Sequence, residues 1–135
     1  QFIRPEMLSS LLRAESKSAG AVYPHKIFET GKTAFLCEKE NTGTRTVQSL
    51  GFLTASQNAN FNEAASEAAN LLYYLGLKYE VCETDDVRFI RGRQAGILYK
   101  GEKIGIFGEV NPQVLENWAV TVPCYAGEIT IDKLI

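Results

Sequence analysis

Histidine is almost missing from this sequence, and that scarcity removes whole classes of chemistry. The one example in 135 residues, His25, follows Tyr23 and Pro24 with no serine, cysteine or carboxylate motif beside it. A Ser-His-Asp triad or a histidine-rich metal site is therefore excluded, and His25 lacks the orienting partner that a general base needs. Cys37, Cys82 and Cys124 are far apart and form neither a CxxC pair nor a Cys/His cluster. An odd number of cysteines in apolar strand-like settings (FLC, EVC, VPC) fits reduced, buried thiols in a cytosolic compartment better than a disulfide or a metal. No apolar run approaches the roughly 18 residues that span a bilayer, and the opening QFIRPEMLSS lacks the basic-then-apolar order of a signal peptide. A soluble, cytoplasmic protein with no membrane partner is expected. Neither GxxxxGK[ST] nor GxGxxG occurs, so the glycines form no phosphate cradle. A net charge of -2 and a pI near 5.5 give no global attraction to nucleic acid.

What is present is a chain that can build a core. With 45% hydrophobic and 22% charged residues, positions 1–135 read as one globular domain without repeats or low-complexity linkers. A first helix is expected from Arg4-Pro5-Glu6 to about Ser16, with Leu8, Leu11 and Leu12 as its apolar stripe. Gly20 lies in the segment that breaks it. Strand pieces at 26–29 and 32–37 flank Thr30-Gly31, residues 38–44 read as a charged turn, and 46–54 as a buried strand. Residues 60–76 are the clearest helix. Asn60 caps it, Glu63 completes a capping-box pair, and Gly76 stands where a left-handed residue ends a helix. Residues 77–83 read as a strand and 84–92 as an irregular connection. A hairpin then turns at Lys100, Gly101 and Glu102 and runs to Val110, where Asn111 and Pro112 open a short helix carrying Val114, Leu115 and Trp118. Residues 124–131 form the last strand. The fold class is α+β: an antiparallel sheet with helices on one face.

Two polar features invite a functional reading. Glu38 with Glu40, and Asp85 with Asp86, are paired carboxylates, but both fall in turns without the apolar surroundings that would shift a pKa, so they read as solvated. Arg88, Phe89, Arg91 and Arg93 interleave cations with an aromatic, a pattern suited to contacting another subunit, a nucleotide or RNA phosphate.

Several blocks together resemble the C-terminal part of the phenylalanyl-tRNA synthetase beta subunit, archaeal and eukaryotic type. They are RPEMLSSLL (4–12), YPHKIFETG (23–31), FIRGRQAGI (89–97), KGEKIGIFG (100–108) and GEVNPQVLENWAV (108–120). The resemblance implies a class II aminoacyl-tRNA synthetase-like antiparallel sheet flanked by helices, and a module without catalytic residues. Active class II enzymes carry a phenylalanine-arginine-x-glutamate segment whose arginine grips the ATP α-phosphate, whereas Phe35 is followed here by Leu36. They also carry a late glycine-rich strand leading to an arginine. Here Ile129 and Ile131 replace the inner glycines and Lys133 the arginine, closing the space and losing the planar fork. No catalytic, cofactor or metal residue is assigned in this chain, and ATP and magnesium are implied only for the whole enzyme. The implied partners are a catalytic alpha subunit in an alpha2-beta2 heterotetramer and, through it, tRNA-Phe. The missing preceding helix and strand of class II modules, and a terminal helix cut short after Leu134, suggest a fragment. The alternatives are a domain that keeps an ATP or adenylate site and an RNA-contacting module.

Overall fold

The computed structural model describes residues 7–17, 25–36 and 44–130. The expected helix start at Arg4, the break at Gly20, Cys37, most of the charged turn at 38–44, Ile131 and Lys133 lie outside these residues, as do the side chains of His25 and Phe35. In chain order the elements are α1 (Met7–Ser16), β1 (His25–Leu36), β2 (Thr44–Ala55), α2 (Phe61–Tyr74), β3 (Glu80–Cys82), β4 (Phe89–Tyr99), β5 (Glu102–Val110), α3 (Pro112–Asn117) and β6 (Cys124–Thr130). The six strands form one sheet in the order β1-β2-β6-β5-β4-β3, and every neighbouring pair is antiparallel.

The helices occupy both faces of this sheet, not the single face expected from sequence. Leu8, Leu11 and Leu12 of α1 share a core with Leu53, Ile106, Val110, Ala126 and Leu115 of α3. Ala64, Ala68 and Leu72 of α2 pack on the opposite side with Phe52, Phe107, Tyr125 and Ile129. Successive residues of a strand point to opposite faces, so Phe52 and Leu53 feed different cores. Strands with both faces buried carry apolar residues in succession, and their periodicity alone does not tell which face a helix covers.

Local chemistry explains the element ends. Asn60 Oδ1 accepts from Glu63 N at 3.0 Å, the N-cap expected of α2. At the other end Gly76, with φ +73°, allows Gly76 N to reach Tyr73 O and Leu77 N to reach Leu72 O, a Schellman closure. Lys100 and Gly101 both have positive φ and make the tight hairpin turn between β4 and β5. Asn111 caps α3 through Gln113 N at 2.9 Å. The α3 terminus uses the same Schellman pattern, Ala119 N to Glu116 O and Val120 N to Leu115 O, with Ala119 held at φ +58°.

Three expectations change. Thr30-Gly31 does not interrupt β1; Gly31 stays in register opposite Ser49, because the ladder to β2 offers every backbone group a partner. The strand expected at 77–83 shortens to three residues. Residues 89–92, expected to be irregular, belong to β4.

Candidate functional site

The arginine segment opens β4. Between the pairs Phe89↔Val110 and Gln94↔Gly108 the register shifts, so residues 90–93 bulge from the sheet, and Gly92 takes φ +81°. The four candidate residues are thereby separated. Phe89 is buried in the α1 core, and Arg88 turns inward beside it, its guanidinium 5.5 Å from the Phe89 ring. Arg91 and Arg93 are exposed on the bulge.

Arg88 is the hub of a half-buried ionic network. Its Nε and Nη2 donate to the two oxygens of Asp86 at 2.9 and 2.8 Å, and its Nη1 donates to Glu128 on β6. The same Glu128 carboxylate accepts from Met7 N at the start of α1, 3.3 Å away. Gln94 fixes the loop from below: its Oε1 accepts from Asp86 N and its Nε2 donates to Asp86 O. Burial works against charge on Asp86, yet hydrogen bonds from the Arg88 side chain and backbone, with its positive charge, hold the carboxyl below its ordinary range. Burial likewise disfavours the charge on Arg88, but Asp86 and Glu128 outweigh it and raise its pKa. Asp86 is thus a structural counter-ion, not the solvated acid expected, whereas Asp85 is exposed as expected. Because both carboxylates already claim the fork, Arg88 is a poor phosphate ligand.

Arg93 Nη1 lies 3.2 Å from Glu109 Oε1, and Glu109 Oε2 accepts from Phe61 N in the first turn of α2. That helix end is therefore already satisfied by a protein carboxylate. Arg91 is exposed and has no such partner among the described residues.

Two features escaped the reading of the sequence because each is assembled from distant elements. Lys26 of β1, Glu67 of α2 and Tyr125 of β6 meet at a polar cleft of about 500 Å³, with Lys26 Nζ and the Tyr125 hydroxyl donating to the same Glu67 oxygen at 3.1 and 3.2 Å. The Glu67 bond raises the Lys26 pKa, and burial is the main reason the Tyr125 hydroxyl also titrates high. At the end of the sheet where α3 begins, Val110, Leu115, Val120, Val122 and Pro123 line an apolar cleft of about 680 Å³. Cys124 lies at its base with its thiol pushed up to about 12 by burial and then by the charge of Glu15, so it is an unreactive packing thiol. Among the described residues no three His, Cys, Asp or Glu side chains gather as metal ligands, and no helix is long and apolar enough to cross a membrane.

On β6, Ile129 is 1% exposed and sits in the α2 core with Phe52 and Phe107. A Cβ on neighbouring Gly127 would stand 2.5 Å from the Phe52 ring. The α2-facing side of the strand at these positions is filled by side chains of the protein.

Comparison with known proteins places this arrangement. Residues 1–131 match the family model described as the phenylalanyl tRNA synthetase beta chain CLM domain. The chain is 53% identical over its whole length to the phenylalanine–tRNA ligase beta subunit of Treponema pallidum subsp. pallidum, covering 22% of that protein. It is 40% identical over its whole length to the corresponding subunit of Borreliella burgdorferi, covering 24%. The chain thus spans less than a quarter of these relatives. Both are bacterial, so the archaeal and eukaryotic type expected from sequence is not supported. The fold is similar to that of a pyrrolysyl tRNA synthetase from Desulfitobacterium hafniense, a class II synthetase, at a TM-score of 0.76 and 13% identity, covering 98% of this chain and 48% of that one. The class II-like antiparallel sheet expected from the sequence is therefore the fold observed.

Proposed function

Since the chain belongs to the family of the phenylalanyl tRNA synthetase beta chain CLM domain, we propose that it is a non-catalytic structural module of a phenylalanine–tRNA ligase beta subunit. In this reading residues 1–135 form a single domain that packs on the catalytic alpha subunit of a cytoplasmic alpha2-beta2 enzyme. That enzyme charges tRNA-Phe using ATP and magnesium, neither of which this module holds. The observation that carries the reading is the filled strand face at Ile129 and Gly127, where an active relative needs backbone open to the nucleotide. The consumption of Arg88 by Asp86 and Glu128 supports it independently. Calorimetric titration of ATP and of phenylalanine into the domain is expected to give no binding heat. Micromolar binding of either would replace the scaffold reading with that of a retained adenylate site.

A second reading is favoured by one observation, the exposure of Arg91 and Arg93 on the β4 bulge. Their exposure, which Arg88 and Phe89 lack, is what supports a contact with another subunit or RNA. If the bulge is structural or faces another subunit, substituting both by alanine in the assembled enzyme leaves tRNA affinity and its salt dependence unchanged. A fall in both affinity and salt slope would assign the bulge to RNA phosphate.

A further inference from the structure

We draw no further inference here: the strongest candidate, the apolar cleft of about 680 Å³ that Val110, Leu115, Val120 and Val122 line at the end of the sheet where α3 begins, is an unpartnered groove, and nothing in the structure shows what covers it.

Discussion

The two faces of the sheet are built on different principles. The α2 face is closed by apolar fit: alanines at 64 and 68 bring the helix down on Phe52, Phe107 and Ile129, and Phe61 stacks on Phe107 with ring centroids 5.6 Å apart. The α1 face has an equally apolar centre but is held at its edge by charge, through Asp86, Arg88 and Glu128 with the Met7 amide. Packing on the first face fills the strand surface at Gly127 and Ile129 with side chains. On the second, the same job of tying a loop and a helix to β6 falls to groups that in another context bind phosphate.

Changes on the two faces should therefore fail differently. Leu72→Ala, at a fully buried site on the α2 face, is expected to cost about 3 kcal/mol from lost transfer energy and the residual cavity. Urea denaturation at pH 5 and pH 8 should give the same loss. Asp86→Asn on the α1 side is expected to cost about 2 kcal/mol at neutral pH, since a two-point bond to a charged group is removed from a site still partly open to water. That cost carries a pH signature. The Asp86 carboxyl titrates below its ordinary value in the folded protein, so its contribution is complete above that ordinary value and is lost as pH falls through the lower folded pKa. The stability curves of the two proteins should begin to draw together as pH falls below about 4 and meet only in more acidic solution; a difference that stays undiminished throughout the acid range would contradict the assignment.

Smaller changes sharpen the contrast where the faces meet. Ala119→Gly relieves a side chain in the left-handed region at the end of α3 and is expected to stabilise by about 0.5–1 kcal/mol, visible as a raised thermal midpoint. Arg93→Ala removes an ion pair whose arginine side chain is 60% exposed, and is expected to change stability by less than about 0.5 kcal/mol. Glu109 keeps its bond to Phe61 N in that variant, so amide exchange in the first turn of α2 should not change.

Features governed by neighbouring residues were legible in the sequence. The Asn60 and Gly76 ends of α2, the Lys100-Gly101 turn, and Asn111-Pro112 at the start of α3 all depend on side chains within a few positions of the backbone they satisfy. Thr30-Gly31 misled because glycine tolerates a turn without demanding one, and the cross-strand ladder to Ser49 decided the matter. The side on which each helix packs was not legible either, since β2 and β6 carry buried residues on both faces. For the candidate site, the sequence marked residues 88–93 as unusual but could not divide them. That division depends on the bulge and on Glu128, forty residues away along the chain. The Lys26–Glu67–Tyr125 cluster has no local signature, since β1, α2 and β6 each supply one member.

The strand order has a bearing on synthesis. β1 with β2, and β4 with β5, are neighbours joined by short connections, whereas the strand that unites them, β6, is the last of the six in the chain. Until β6 leaves the ribosome, β2 and β5 each present an open edge and half of each hydrophobic core lacks its floor. Long-range pairing is slow and open edges invite association, so the sheet is complete only when β6, made last, pairs with both β2 and β5. The residues that close the gap, including Gly127, Glu128 and Ile129, thus act as the keystone of assembly.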